Sequence, residues 1–321
     1  MPLYLVTGGA GFIGSHLVEE LLKRGQPVRV LDNFFSGKRE NLAFVETYHP
    51  GREGFQLIEG DLRDREACRQ ACHGVTYILH QAALRSVPAS VKDPLAYHEV
   101  NAGGTLNLLL AAREEKVKSV VYAASSSVYG DVPAAPLRES QCPSPLSPYA
   151  ASKLAGEHYC HVFSRLYGLG TVRLRYFNVF GPRQDPLSQY AAVIPRFITL
   201  AMANQPLEIH GDGLQSRDFT YVSNVVQANL LAAEAPGAQG EVINVGCGET
   251  HSILELAQLI GRILGKEPHL HHTPSRPGDV RYTKADISQA RRLLGPGALP
   301  VDFESGLKRT IRYFQGLPPL E

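Results

Sequence analysis

The chain has 321 residues, of which 44% are hydrophobic and 20% are charged, and its formal net charge is +1. This composition predicts a folded protein with a large core rather than a disordered chain. A net charge near zero, with no dense basic run, argues against nucleic acid as a partner. No apolar run reaches the roughly 18 residues that a membrane-spanning helix needs, so no membrane association is expected.

The predicted elements alternate between strands and helices over the first 176 residues. The predicted strands are Leu3–Thr7, Val28–Asp32, Phe55–Glu59, Val75–His80, Ser119–Ala124 and Thr171–Tyr176. The predicted helices are Gly11–Arg24, Asp64–Cys72, Leu95–Glu115 and Pro148–Tyr167. Because the strands are apolar throughout rather than alternating, the pattern predicts an α/β fold with a Rossmann-type, doubly wound parallel sheet.

After about residue 177 the pattern becomes irregular, and glycine and proline become more frequent. We therefore expect a dinucleotide-binding domain over residues 1–177. Residues 178–321 are expected to form a smaller α/β region that binds substrate, with segments that can return to the sheet. A ligand cleft is expected at the carboxyl ends of the strands.

The cysteines and histidines bear on location and on metal binding. Five cysteines, an odd number without a C-x-x-C pair, predict reduced thiols in a cytoplasmic enzyme. The first residues, MPLYLVTGGAGFIG, lack the basic stretch of a secretion signal. His269, His271 and His272 have no cysteine or acidic residue at ligand spacing, so no metal site is expected.

A glycine-rich turn follows the first predicted strand. Gly8, Gly11 and Gly14 have the spacing G-x-x-G-x-x-G and open a helix. Glycines let the backbone approach a pyrophosphate, and the helix N-terminus supplies N–H donors. The second strand ends in Asp32, a residue type that binds the ribose diol of NAD and repels the 2′-phosphate of NADP. The turn predicts an NAD site.

Later strand ends offer further candidates. Asp61 either meets the adenine or caps the following helix, whereas Ala82 and Ala83 are small enough to let a dinucleotide pass. Asn101, inside a predicted helix, either orients backbone near the cleft or faces solvent.

The segment PLSPYAASKLAGE, residues 145–157, predicts a helix start. Ser147 is a good N-cap, and Pro148 suits the first helical position. Tyr149 and Lys153 then lie on one face, one turn apart. They form either an ordinary surface pair or a phenol whose pKa is lowered by a neighbouring ammonium.

Three motifs occur in order on the predicted elements: TGGAGFIG, AASSSVYGD and YAASK. Together they resemble the extended short-chain dehydrogenase/reductase family, and most closely the UDP-galactose (UDP-glucose) 4-epimerases and their N-acetylhexosamine-tolerant relatives. The likeness covers nearly the whole chain, including HQAALRSVPAS, RYFNVFGPRQ, IHGDGLQSRDFTYV and SRPGDVRYTKAD.

The resemblance implies an isomerase that interconverts UDP-galactose and UDP-glucose, with UDP-GalNAc and UDP-GlcNAc as further substrates. Its reaction passes through a transient 4-keto sugar and NADH, so no net redox occurs. Tyr149 would be the general acid/base, and the Lys153 ammonium and the nicotinamide charge would favour its phenolate. Ser125 would hydrogen-bond the reacting hydroxyl.

The resemblance also implies two sets of binding residues. The expected NAD contacts are Gly8, Gly11, Phe12, Ile13, Gly14, Asp32, Asn33, Asp61, Leu62, Gln81, Ala82, Ala83, Asn101, Tyr149, Lys153 and Tyr176. The expected substrate contacts are Arg85, Ser86, Ser125, Ser127, Tyr149, Asn178, Ala192, Val193, Arg217, Arg276, Asp279 and Thr283. Within the second set, Arg217, Arg276 and Asn178 would hold phosphates. Ala192 and Val193 would line the uracil, and Asp279 would meet the uridine ribose.

Several positions decide between related activities. Dehydratases and decarboxylases of this family carry carboxylates where this chain has Ser126 and Ser127, which favours epimerisation. The resemblance implies that Thr283 is small where a bulky aromatic would exclude N-acetyl groups, unless the neighbouring Tyr282 fills the same space. Arg85 either binds a carboxylate on C6 of the sugar, which would make UDP-uronic acids the substrates, or contacts phosphate or solvent. A non-catalytic NAD(H) sensor is disfavoured because Ser125, Tyr149 and Lys153 are all present. Family likeness also suggests a homodimer, packed through the predicted helices Leu95–Glu115 and Pro148–Tyr167.

Overall fold

A computed structural model of the protein describes residues 1–48, 54–132, 136–187, 192–275 and 280–318. Its strands are β1 (Tyr4–Thr7), β2 (Val28–Asp32), β3 (Phe55–Glu59), β4 (Tyr77–His80), β5 (Ser119–Ser125), β6 (Gly170–Tyr176), β7 (Val179–Phe180), β8 (Leu207–His210), β9 (Ser216–Arg217), β10 (Thr220–Tyr221), β11 (Val242–Val245), β12 (His251–Ser252) and β13 (Leu270–Thr273).

Twelve α-helices occur in the described residues. They are α1 (Phe12–Lys23), α2 (Val45–Tyr48), α3 (Arg65–Cys72), α4 (Val87–Lys92), α5 (Pro94–Tyr97), α6 (Gly104–Glu114), α7 (Pro148–Tyr167), α8 (Val193–Met202), α9 (Val222–Glu234), α10 (Ile253–Leu264), α11 (Ser288–Leu294) and α12 (Phe303–Phe314). A π-helix spans His98–Gly103, and 3₁₀ turns span Arg39–Leu42, Ser126–Tyr129 and Pro236–Ala238.

The central sheet has seven strands in the order β11-β6-β5-β4-β1-β2-β3, and every pairing is parallel. Helices cover both faces, because alternate strand residues point to opposite sides of a sheet. Val6 of β1 packs with α1 and α9 on one face. Its neighbour Leu5 packs with α3, α6 and α7 on the other. The predicted Rossmann-type fold is confirmed.

A separate core lies in the C-terminal part of the chain. Apolar side chains of α8, α10 and α12 pack there around Leu207 and Ile209 of β8, all of them buried. Strand β11 also lies in this part of the chain, yet it pairs with β6 of the central sheet. The chain therefore returns to the sheet well after residue 178. The division into domains at residue 177 stays a prediction.

The predicted helix Leu95–Glu115 is wrong as one continuous helix. Asp93 caps a new turn at Pro94, and the backbone then widens into the π-helix before α6 begins. The side chain of Asn101, inside the π-helix, accepts a hydrogen bond from Leu84 N and donates one to Leu84 O, at 2.8 and 2.9 Å. A π-helix of this kind often marks a functional site.

Candidate active site

The turn between β1 and α1 lies against the end of β4. Gly8 has φ of +68°, and a Cβ there would lie 2.8 Å from Ala82 N. A Cβ on Gly14 would lie 2.1 Å from Gly8 O, so side chains are excluded at both positions. No side chain caps α1 at Gly11, so the first N–H groups of the helix are left for an anion.

The carboxylate of Asp32 is fixed at the end of β2. Its Oδ2 accepts from Ala10 N at 2.9 Å, and its Oδ1 accepts from Phe34 N at 2.8 Å. Burial raises the pKa of this carboxyl above its usual value, although both hydrogen bonds lower it. Each oxygen keeps acceptor capacity, which suits two ribose hydroxyl groups.

A cavity of about 390 Å³ runs along the carboxyl ends of the strands. It is lined by many of the residues that the sequence predicts for NAD, namely Gly8, Gly11, Phe12, Ile13, Gly14, Asp32, Asn33, Asp61, Leu62, Gln81, Ala82, Ala83, Tyr149, Lys153 and Tyr176. Asn101 is not in this lining. It is 1% exposed and bonded to Leu84, so the alternative in which it faces solvent is wrong.

Hydrogen bonds fix several of these lining residues. Asn33 donates to Asp61 Oδ2 at 2.8 Å, and Asp61 also binds Arg63, which lowers the pKa of the Asp61 carboxyl to about 2. The alternative role of Asp61 as a helix cap is wrong, because Asp64 caps α3. Elsewhere in the lining, Tyr176 Oη and Gln81 both bond to the amide of Asn229, a fully buried residue of α9 that sequence reasoning missed.

Tyr149 and Lys153 both line this cavity, and Ser125 is close enough to act on the Tyr149 phenol. Ser147 caps α7 by accepting from Ala150 N, and Pro148 occupies its first turn, as the sequence predicts. The Tyr149 ring packs edge-on against Tyr97, with centroids 6.3 Å apart. Lys153 is 4% exposed, and its Nζ lies 4.8 Å from the centre of the Tyr122 ring. The alternative of an ordinary surface pair is wrong, because the lysine is buried.

The charges around Tyr149 differ from the sequence-based expectation. Burial raises the pKa of the phenol, while a hydrogen bond with Ser125 and the positive charge of Arg85 lower it. Lys153 is not among the groups that shift this pKa in the protein alone. Burial lowers the pKa of Lys153 itself to about 8. Burial is thus the largest influence on the pKa of both side chains, and the lowering of the Tyr149 pKa by Lys153 stays a prediction.

The start of the 3₁₀ turn after β5 carries hydroxyls rather than carboxylates. Ser125 Oγ and Ser127 Oγ lie 2.8 Å apart, and Ser127 N donates to Ser125 Oγ at 3.2 Å. The hydroxyl that hydrogen-bonds Tyr149 is thus held in place by its own turn.

The predicted substrate residues fall into separate groups. Asn178 donates to Asp218 O at 3.1 Å and to Thr283 Oγ1 at 3.4 Å. Arg217 lies on β9 beside them and donates to Ser216 O. Ser86 caps α4, while Ala192 and Val193 form the start of α8. Arg276 and Asp279 lie outside the described residues.

Asp218, which the sequence analysis missed, joins two of the predicted substrate residues, because its backbone O accepts from Asn178 and its backbone N donates to Thr283 Oγ1. Its carboxylate accepts from Cys247 N at 2.7 Å and from Gly248 N and Ala285 N at 3.0 Å. It is fully buried, and burial raises its pKa to about 6. Its position beside Arg217 in the motif QSRDF was the only available signal.

Arg85 lines the same cavity as Tyr149. Its positive charge lowers the pKa of both Tyr149 and Asp185. This places a guanidinium close to Tyr149 rather than on a remote surface.

Comparison with known proteins identifies the family. A model of the NAD dependent epimerase/dehydratase family matches residues 4–246. The chain belongs to this family. It is 39% identical over 315 residues to a UDP-glucose 4-epimerase from Mycolicibacterium smegmatis, covering 97% of this chain and 98% of the relative.

Two solved structures of family members have the same fold over nearly their whole length. One is a UDP-N-acetylglucosamine 4-epimerase from Methanobrevibacter ruminantium in complex with UDP-N-acetylmuramic acid, with 40% identity, a TM-score of 0.90 and 98% of each chain covered. The other is the UDP-glucose 4-epimerase from Thermus thermophilus in complex with NAD, with 39% identity and a TM-score of 0.87. This second match covers 98% of this chain and 99% of the other.

The protein is therefore an enzyme of the epimerase/dehydratase class with NAD as its cofactor, as the sequence predicts. The cavity fits NAD for two reasons. Side chains are excluded at Gly8 and Gly14, and two hydrogen bonds fix the Asp32 carboxylate in a position to bind a ribose diol. The described part of the chain contains no cluster of three or more side chains that could hold a metal ion. It also contains no helix that is long and apolar enough to cross a membrane.

Proposed function

We propose that the protein is a UDP-sugar 4-epimerase that interconverts UDP-galactose with UDP-glucose and UDP-GalNAc with UDP-GlcNAc. The observation that carries this proposal is that Tyr149 and the buried Lys153 line the same cavity, with Ser125 close enough to lower the pKa of the Tyr149 phenol. Ser126 and Ser127 follow, where dehydratase chemistry would require a carboxylate.

Tyr149, Ser125 and Lys153 have separate roles in proton transfer. Tyr149 takes the proton of the sugar 4-hydroxyl and later returns it to the 4-keto oxygen. Ser125 hydrogen-bonds the same oxygen and is itself oriented by Ser127. Lys153 keeps a positive charge beside the site at neutral pH, because its pKa of about 8 lies above 7. NAD, held by the glycine turn and Asp32, would supply the acceptor for the C4 hydride and the source of the hydride that returns to the other face of the ring.

The loops around Asp218 are proposed to hold the UDP group. They bring Asn178, Arg217 and Thr283 together, and the planar fork of an arginine suits phosphate oxygens. Thr283 leaves room for an N-acetyl group on C2. Arg276 and Asp279 remain proposed contacts to pyrophosphate and ribose from their motif alone.

A second candidate substrate class is UDP-uronic acids. Arg85 favours it, because its guanidinium lines the cavity and its charge acts on Tyr149. A carboxylate on C6 would pair with this group.

A substrate panel separates these proposals. The purified protein is incubated with UDP-galactose, UDP-GalNAc or UDP-galacturonate, with and without added NAD, and formation of the 4-epimer is followed by proton NMR. Conversion of the first two and not of the uronate is the expected result. Conversion of the uronate alone would make Arg85 the specificity residue. No conversion of any of them, even with NAD supplied, would refute the epimerase proposal.

We also propose that the enzyme is a cytoplasmic homodimer. Val162, Leu166 and Tyr167 leave a largely exposed apolar strip on α7, and Arg113 of α6 lies over the Tyr167 ring at 4.8 Å. All five cysteines are free thiols, which suits a reducing compartment. Light scattering during gel filtration tests the dimer, and a single 35.1 kDa species would contradict it.

A further inference from the structure

His80 ends strand β4 and is buried, with 1% of its surface exposed. It directly precedes Gln81, Ala82 and Ala83, which line the cofactor cavity. Both of its ring nitrogens have partners: Nδ1 lies 2.7 Å from Thr7 Oγ1, and Nε2 lies 3.0 Å from Thr105 Oγ1. Nothing in the proposed chemistry uses this histidine directly.

The hydrogen bonds around His80 determine its tautomer. Thr105 donates its hydroxyl proton to Asn101 O at 2.6 Å, so its oxygen can only accept from His80, and Nε2 carries the hydrogen. Nδ1 is then an acceptor, to which Thr7 donates. Thr7 Oγ1 in turn accepts from Ala82 N at 3.3 Å. Burial, followed by the charge of Lys153, lowers the pKa of His80 to about 3, which keeps the ring neutral at physiological pH.

These bonds form one directed chain from the glycine turn to the π-helix. The side chain of Asn101 continues it, because Nδ2 donates to Ser152 Oγ at 3.0 Å as well as to Leu84 O. Ser152 Oγ donates to Tyr149 O at 2.8 Å. This series of hydrogen bonds thus joins the ends of β1 and β4 to the first turn of α7, which carries the proposed catalytic tyrosine.

We propose that His80 is a positioning residue of the epimerase reaction. It touches no reacting atom. It holds the π-helix against the ends of β1 and β4, and so sets the position of Tyr149 relative to the cofactor cavity. A leucine in its place would fill similar space but leave the Thr7 and Thr105 hydroxyls without this partner. The effect on turnover rests on the proposed function, whereas the effect on the π-helix does not.

The test uses the full-length enzyme and five variants, one of which combines His80→Leu with Thr105→Val. His80→Leu removes both hydrogen bonds, and Thr105→Val removes one hydroxyl with little change of volume. His80→Gln keeps an N–H donor directed toward Thr105. Thr310→Val is the matched control, because Thr310 is a fully buried residue of α12 whose hydroxyl bonds only within its own helix, to Gly306 O.

Two readouts are measured for each variant. The first is kcat and KM for the UDP-sugar that the wild type converts, together with the bound NAD per chain. We expect His80→Leu and Thr105→Val to lower kcat by about 10- to 100-fold, because small displacements of catalytic groups are costly. KM and NAD content should stay near the wild-type values. The His80→Leu/Thr105→Val double variant should be no slower than the slower single variant, and His80→Gln should recover part of the rate.

The second readout is amide hydrogen exchange, which needs no activity. In His80→Leu and Thr105→Val, residues 81–84 and 98–104 should exchange faster than in the wild type, whereas residues 303–314 should not. Thr310→Val should leave residues 98–104 unchanged. If the wild type converts no UDP-sugar, the proposed function fails, and exchange alone decides whether His80 holds the π-helix.

Two results would overturn the proposal. One is a folded, NAD-containing Thr105→Val whose kcat and exchange both match the wild type. The other is a His80→Leu variant that loses rate while residues 98–104 keep their protection, because the loss would then arise elsewhere. If His80→Leu does not fold, Thr105→Val and His80→Gln still give both readouts.

Discussion

The buried ion pair behind the active site allows a quantitative prediction. Glu157 lies one helical turn after Lys153, and Arg175 binds it in a bidentate fashion, with Nε and Nη2 at 2.9 and 2.8 Å from its oxygens. The two side chains are 3% and 4% exposed. The guanidinium also stacks on the Tyr129 ring, 4.6 Å from its centre.

Replacement Glu157→Gln removes one charge and leaves the buried Arg175 without its hydrogen-bonded carboxylate. Breaking such a pair costs about 3–5 kcal/mol, because the remaining charge stays desolvated. The double variant Glu157→Gln/Arg175→Met removes both charges and should recover most of this loss. As a control, Glu304→Gln breaks the half-exposed pair with Lys308 and should cost at most about 0.5 kcal/mol.

The assay is urea unfolding at pH 7, followed by circular dichroism, for the wild type and all three variants. A loss below about 1 kcal/mol for Glu157→Gln would refute the reasoning, because that magnitude is typical of exposed pairs. A double variant as unstable as the single one would also refute it, since the loss would then come from packing rather than from the unpaired charge.

Three further predictions concern the site. Tyr149→Phe should reduce turnover by at least about 100-fold and leave NAD content unchanged, whereas residual turnover near wild type would exclude Tyr149 as the acid/base. Asp32→Ala should weaken NAD binding, measured by the NAD retained through gel filtration, while equal retention would contradict the ribose role. The pKa of Asp218 is about 6 when folded, above its usual 3.8, so its stability contribution falls as pH rises from about 4 to 6. On acidification over that interval, the free energy of unfolding of the wild type should rise by up to about 3 kcal/mol relative to that of Asp218→Asn. A difference between the two proteins that does not change with pH would contradict the shifted pKa.

The sheet could be predicted because its signals are local. The apolar runs, the glycine turn and the cap at Ser147 each act within a few residues, and the first six predicted strands agree with β1 to β6. Strand β11 was not assigned, because Val242–Val245 is a short apolar run whose partner, β6, lies more than 60 residues earlier in the chain. Pairing at that distance leaves no periodic pattern in the sequence.

The sequence indicates which residues form the site, but it does not indicate how buried each one is or what it contacts. The residues predicted around NAD largely share one cavity, because strand ends of a parallel sheet meet at one edge. Desolvation of Lys153 and the break at Asn101 depend on packing between distant segments, so no local pattern indicates them. His80 and Asp218 were overlooked for the same reason, since each acts through three or more backbone segments.

Epimerisation in D₂O tests the central claim most directly. If hydrogen leaves C4 as a hydride and returns to the same carbon, it never exchanges with solvent. Proton NMR of the product formed from UDP-galactose or UDP-GalNAc should then show full protium at C4. Deuterium at C4 would contradict the proposed chemistry, and deuterium at C5 would indicate elimination of the dehydratase type instead.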